Sequence, residues 1–154
     1  MNGDRMHLID QLSSPIIIAH RGSSKYAPEN TYASFDTALK QGAMAFELDT
    51  MLTVDHIPVV IHDRRLERTT NGKGLVDKTH SEELKKLDAG SWFSNAFKGE
   101  RIPFLKDLLI RYHKNVLINI ELKNLHSLRD ALPDIVLELI LELKVANNVI
   151  LSSF

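Results

Sequence analysis

Apolar residues in this chain arrive in two alternating rhythms. Residues 16–19 are Ile-Ile-Ile-Ala behind Pro15, a β-branched run with a proline at its entrance, and residues 15–20 read as a buried strand. Tyr32, Phe35, Ala38 and Leu39 then recur at helical spacing, with Asn30 or Thr31 available as the N-cap and Gly42 as the stop. A second strand then carries Glu47 and Asp49, and after Asp49 the simple alternation ends: residues 59–61 read as a short returning strand after a tight turn at Asp55-His56. Residues 64–103 lose the rhythm: they are rich in Arg, Thr, Asn, Gly and Lys, and only residues 81–87 keep a helical pattern. Periodicity resumes with a helix over 104–112, carrying Leu105, Leu108 and Leu109 on one face, and a strand over 116–122. A helix over 132–143 follows, with Ile135, Val136, Leu139, Ile140 and Leu143 toward the sheet, and then a strand over 149–152.

Strand, helix and strand joined by short connections make βαβ units, which pair their strands in parallel. The pattern suits an open doubly wound sheet or half of a (β/α)₈ barrel, and both gather functional groups at the C-terminal ends of the strands. The first three parallel strands each end in ionisable residues: His20-Arg21, Glu47-x-Asp49 and Glu121-x-Lys123. The long excursion between the second strand and its helix marks a functional segment, since long loops in compact domains are rarely idle.

Composition narrows the chemistry. The chain has 154 residues, one domain's length, and its 19 basic and 20 acidic residues leave a net charge of −1. That balance supplies no basic field for nucleic acid or an anionic membrane. Cysteine is absent, which excludes disulfides and thiolate-bound metal centres. The apolar run at 16–19 is too short for a signal-peptide core or a membrane span, and the acids on the 132–143 helix exclude it as a span. A soluble, cytoplasmic protein is the default expectation.

Glu47 and Asp49 stand two apart in a strand, so both point to one face, with Cα atoms about 6–7 Å apart. Like charges that close need a cation or a shared proton, and an all-oxygen set suits magnesium or calcium. Glu121 adds a third acid at a neighbouring strand end, and Arg21 and Lys123 add cations at the same rim. That combination fits a phosphate-bearing substrate. His20 and His62 can then act as general acid and base on the two sides of a P–O bond.

These segments carry a resemblance. His20-Arg21-Gly22, Pro28-Glu29-Asn30-Thr31, Glu47-Leu48-Asp49, His62-Asp63, the run Arg68 to Gly74, the run Leu87 to Phe93, and Glu121-Leu122-Lys123 stand in the order seen in glycerophosphodiester phosphodiesterases. The chain from about residue 16 to 154 resembles that family. The resemblance implies a TIM-barrel-type α/β domain of which residues 1–154 hold the first four βα units, a half barrel with an insertion at about 52–103. It implies metal-dependent hydrolysis of glycerophosphodiesters to glycerol 3-phosphate and an alcohol, within lipid and glycerol metabolism. It also implies Glu47, Asp49 and Glu121 as ligands of Mg²⁺ or Ca²⁺, His20 and His62 as the acid/base pair, and Arg21 and Lys123 at the phosphate. Glu29, Asn30 and Asp63 are implied as supporting residues, Asp63 beside the catalytic histidine. His56 replaces the glycine usual in the family's Asp-Gly turn, so a positive φ is expected to strain it.

The same residues fit other readings. A sphingomyelinase D-like or phospholipase C-like lipid phosphodiesterase shares the metal logic, but no membrane-docking segment supports it. A non-catalytic half-barrel that binds phosphate or a partner chain is the non-enzymatic alternative. A missing C-terminal half or self-association is expected to cover the open edges of the first and fourth parallel strands. His7, His56, His80, His113 and His126 read as structural or surface, and Gly72-Lys73-Gly74 as a turn. Trp92 and Phe93 read as aromatics that pack the insertion onto the barrel.

Overall fold

A computed structural model describes residues 15–123 and 131–153. Its elements run β1 (Ile18–His20), α1 (Tyr32–Lys40), β2 (Ala45–Leu52), β3 (Pro58–Val60), α2 (Ser81–Leu84), α3 (Leu105–Tyr112), β4 (Leu117–Leu122), α4 (Leu132–Leu143) and β5 (Val149–Ser152). β1, β2, β4 and β5 are neighbours in that order and all parallel, while β3 folds back antiparallel on the upper end of β2.

This order separates the two architectures left open by periodicity. Each parallel strand is added on the same side of the last, and right-handed crossovers then put the intervening helices on one face. A doubly wound sheet reverses direction and covers both faces. The sheet is therefore the wall of an open half-barrel, and β1 and β5 are its edges.

Alternation along the strands divides the two faces. Phe46 and Leu48 of β2, with Ile118 and Ile120 of β4, lie in the core built with Phe35, Leu105, Leu108, Leu109, Tyr112, Leu132, Val136, Leu139 and Ile140 from the helices. Full burial of each such side chain contributes about 1.5–3 kcal/mol. The Phe46 ring meets Phe35 at 4.5 Å and Tyr112 edge-on at 5.3 Å. The Tyr112 hydroxyl donates to Asp36 at 2.6 Å, giving the buried polar tip a partner. The other face of the same strands carries Glu47, Asp49, Asn119 and Glu121. Helix α1 begins at Thr31 through a capping box with Ser34, and Gly42 follows its end at φ 90°.

The excursion has a core of its own. Leu66, Val76, Leu84, Ala89 and Ile102 pack on Met51, Val59 and Ile61 of the β2–β3 hairpin, so the long segment is anchored beside the strand ends. Its helical stretch is only the four residues of α2. Gly72-Lys73-Gly74 is a turn in which Gly74 adopts φ 108°. His56 takes the expected positive φ, 59°.

Two expectations are corrected. The strand at the first isoleucines is shorter than residues 15–20 and is not buried: Ile17 is 80% and Ile18 40% exposed. β1 is an edge strand, so the β-branched run signals a strand but nothing among the described residues covers its outer side. Trp92 is exposed and is no buried anchor: its ring meets Phe93, which meets Phe97, and its indole N–H donates to the Ala89 carbonyl at 2.9 Å. On α4, Val136, Leu139 and Ile140 are buried as expected and half-buried Leu143 packs against the same core, which Leu132 joins one turn earlier, while Ile135 is only half-buried. His80 is exposed and His113 Nδ1 lies 2.8 Å from the Leu109 carbonyl, both structural or surface as expected. His7 and His126 lie outside the described residues.

Candidate active site

Strand register assembles the acids. Glu47 stands beside His20 on β1 and Asn119 on β4, and Asp49 stands beside Glu121. One carboxylate oxygen from each of Glu47, Asp49 and Glu121 falls within 4.8 Å of the others. Their side chains are 9%, 0% and 12% exposed, so the cluster is desolvated although it opens onto the strand ends.

The loop after β1 closes over these acids through two left-handed residues, of which only Arg21 bears a steric cost. Arg21 and Gly22 adopt φ 56° and 77°, and this turn directs the Arg21 amide onto Glu47 Oε2 at 2.9 Å. Glycine is required at position 22, where a Cβ would meet Ser34 Oγ at 2.5 Å and its carbonyl carbon at 2.7 Å. Asn30, also left-handed at φ 57°, donates its side-chain amide to Asp49 Oδ2 at 2.8 Å. That duty leaves the capping of α1 to Thr31.

Two cations partly balance the three acids. Arg21 Nε lies 3.2 Å from Asp49 Oδ2, and Lys123 Nζ lies 3.1 Å from Asp49 Oδ1 while also pairing with Glu121. Both groups implied as phosphate-holding thus lie on the acids themselves. Glu47 Oε1 is buried without a hydrogen bond among the described residues, and buried Asp49 Oδ1 has the Lys123 ammonium beside it. Burial, then the charge of Asp49 and that of Glu121, push the Glu47 carboxyl up to about 7 against the hydrogen bond from the Arg21 amide. An unpaired buried oxygen on Glu47, within a cluster of three hard-donor carboxylates, fits a divalent ion such as magnesium or calcium.

The two histidines come from different strand ends, His20 from β1 and His62 just beyond β3. His20 is 66% exposed, with Nε2 3.9 Å from Glu47 Oε2. His62 follows β3 and Ile61, and its Nδ1 lies 2.6 Å from Asp63 Oδ1. His62, Asp63, Met51, Arg64, Arg65 and Lys123 line one open cleft, so His62 and the Lys123 ammonium face the same space. Glu29 sits behind this rim, accepting from Arg21 Nη1 at 3.1 Å and from both terminal nitrogens of Arg68 at 2.9 and 2.8 Å. Burial pushes Glu29 up, but the hydrogen bonds and charge of Arg68, with Arg21, outweigh it and hold the carboxyl below its usual range.

Residues 20–154 match the description of the glycerophosphoryl diester phosphodiesterase family. The chain belongs to that family. A glycerophosphodiester phosphodiesterase of Caldanaerobacter subterraneus subsp. tengcongensis is 46% identical over 140 residues, 90% of this chain and 58% of its own. The crystal structure of the Agrobacterium tumefaciens glycerophosphodiester phosphodiesterase superposes with a TM-score of 0.84 at 40% identity, over 90% of this chain and 58% of that one. An Oleispira antarctica phosphodiesterase, solved in complex with the product sn-glycerol-3-phosphate, superposes with a TM-score of 0.82 at 39% identity, over 97% and 60%. The chain thus spans about 40–60% of the length of the relatives it matches. Family membership accounts for the order of the motifs, and the register explains their convergence. Arg68 is the residue to which sequence reasoning gave no role: its motif carried the resemblance, but a link made by a long side chain across 39 positions leaves no periodic trace.

Proposed function

We propose that this chain carries the metal-binding half of a glycerophosphodiester phosphodiesterase, which hydrolyses a glycerophosphodiester to glycerol 3-phosphate and an alcohol. The observation that carries the reading is the convergence of Glu47, Asp49 and Glu121 within 4.8 Å at one rim, in a chain of this family. The complex of the Oleispira antarctica relative with sn-glycerol-3-phosphate supports the substrate class. In this reading the segment 52–103 is an insertion in one barrel domain.

Glu47, Asp49 and Glu121 would hold Mg²⁺ or Ca²⁺. Such an ion, when bound, supplies charge to the phosphoryl oxygens and polarises the phosphorus toward attack. Arg21 and Lys123, already at the rim, offset the acids and orient the phosphate. One of His20 and His62 takes the proton of the attacking oxygen, and the other delivers a proton to the departing alcohol. Asp63 holds the Nδ1 side of His62, which leaves Nε2 for the reaction. The observation favouring a second reading is the pair of open edges, β1 and β5. A half-barrel that binds ion and phosphate without turnover would share this rim.

The test is release of glycerol 3-phosphate from glycerophosphocholine with Mg²⁺ or Ca²⁺, chelator and Glu47→Gln serving as controls. Metal-dependent release that the substitution abolishes supports hydrolysis. Binding of ion and sn-glycerol 3-phosphate without release supports the second reading, and neither binding nor release refutes both.

A further inference from the structure

Arg68 belongs to the excursion, in a single 3-10 turn at Leu66–Arg68. Its guanidinium engages two carboxylates at once. Nη1 and Nη2 donate to Glu29 Oε2 and Oε1 at 2.9 and 2.8 Å, and Nε and Nη2 donate to Asp63 Oδ2 and Oδ1 at 2.5 and 3.1 Å. Asp63 Oδ1 is also the atom 2.6 Å from His62 Nδ1, and Glu29 Oε1 also accepts from Arg21. One fork thus stands where two lines of contact cross, one ending at His62 and the other at the Asp49 carboxylate through Arg21.

We propose that Arg68 is a positioning residue that locks the His62 imidazole, through Asp63, in the tautomer protonated on Nδ1, so that Nε2 is the atom turned to the reacting oxygen. This inference rests on the proton-transfer role given to His62 above.

The chemistry of the donors carries it. The hydrogen bonds of Arg68, against burial and with help from His62, hold the Asp63 carboxyl down at about 2. An ionised carboxylate only accepts, so the hydrogen in the His62–Asp63 contact belongs to the imidazole Nδ1. Arg68 binds both oxygens of Asp63 in the bidentate geometry of guanidinium and carboxylate, which fixes the plane of the acceptor as well as its charge. Without the fork, a carboxylate 29% exposed on the residue next to His62 is free to turn to water. The ring then loses the partner that selects its tautomer, a role third groups play behind catalytic histidines in general. Arg68 also ties the excursion to the loop before α1, so a purely structural clasp is the competing account.

Long-range ¹⁵N–¹H spectra of the imidazoles decide between them, with the His62 signals assigned from a His62→Gln control. The wild-type chain at pH 8 is expected to show one neutral His62 tautomer with the proton on Nδ1. Arg68→Gln is expected to give a mixture with the Nε2–H form, and Arg68→Lys, which keeps the charge and loses the fork, an intermediate mixture. In the hydrolysis assay, Arg68→Gln is expected to lower kcat by about tenfold or more while KM stays within about twofold, with partial recovery in Arg68→Lys. An Nε2–H ring in the wild type overturns the proposal. So does an unchanged single tautomer in either variant, even where thermal melting shows lost stability. Should the wild type lack turnover, the hydrolytic reading fails while the spectra still judge the role of Arg68.

Discussion

Lowering the pH from 8 to 5 is expected to weaken divalent-ion binding at the rim by about two orders of magnitude, and Glu47 is the reason. Its carboxyl is raised to about 7 by burial first, then by Asp49 and Glu121, so an incoming cation must displace a proton. With that midpoint the acid is roughly nine-tenths ionised at pH 8 and about one-hundredth at pH 5, a cost near 2.7 kcal/mol at about 1.4 kcal/mol per pH unit. Calorimetric titration with Mg²⁺ in two buffers of different ionisation enthalpy measures both consequences. The apparent affinity falls about tenfold per pH unit below 7, and about half a proton is released per ion at pH 7. Glu47→Gln binds weakly and loses the dependence. Affinity constant from pH 8 to 5 without proton release would refute the reasoning, because it would mean that the acid is already ionised in the metal-free site.

The same group sets a stability trend of known sign. Its folded value lies above the unfolded one of 4.5, so the folded state holds the proton more tightly. Its contribution is therefore fully present below about pH 4.5 and is lost as pH rises through about 7. The loss is about 3 kcal/mol as an upper bound, and thermal melts of the metal-free chain fall across that window. Saturating Mg²⁺ or Ca²⁺ reverses the trend, since the ion binds the ionised form.

Other outcomes follow from single contacts. His56→Gly relieves a left-handed residue at φ 59° in an exposed turn and is expected to raise stability by about 0.5–1 kcal/mol in urea denaturation. Asn30→Ala removes the hydrogen bond to buried Asp49 and leaves a Cβ at φ 57°, for a loss of about 2–3 kcal/mol by the same measurement. Asn30→Gly keeps the backbone relaxed and is expected to lose about 1 kcal/mol less. Lys123→Gln acts with opposite signs on two ligands: calorimetry is expected to show the divalent ion binding roughly tenfold tighter, and steady-state kinetics a higher KM for glycerophosphodiester. A parallel loss of both would make Lys123 part of the scaffold.

Much of the site was legible because it depends on period and order. Glu47 and Asp49 share a face by strand alternation alone, and charged residues closing successive parallel strands converge once the strands are neighbours. What local pattern could not decide was the direction in which strands are added, since doubly wound and barrel sheets use the same βαβ unit. Resemblance supplied the barrel, and the unreversed order of β1, β2, β4 and β5 accounts for it. The misreadings share a cause. The isoleucines of β1 and the Trp92–Phe93 pair were read from side-chain type, but burial depends on what lies opposite, which is set by distant chain. Asn30 and Thr31 looked interchangeable as caps until the demand of Asp49 for a donor separated them. Arg68 is the extreme case, a residue whose meaning lies wholly in tertiary contacts.

The charges at the rim explain why the arrangement tolerates three buried acids. Glu47, Asp49 and Glu121 carry −3 when ionised, Arg21 and Lys123 carry +2, and the set is left at −1. Desolvation makes that residue of charge costly, and the raised Glu47 carboxyl is the visible result, because a proton is the cheapest available neutraliser. In the proposed function a divalent ion would remove the need for the proton and carry the set past neutrality to +1. A phosphodiester, with its single negative charge, would return it to zero. Each ligand would therefore prepare the next: the ion would make the rim attractive to the phosphate only because the two cations were already present. Without Arg21 and Lys123 the acids would bind the ion tightly and leave nothing to draw the diester, whereas without the acids the cations would hold phosphate with no ion to activate it.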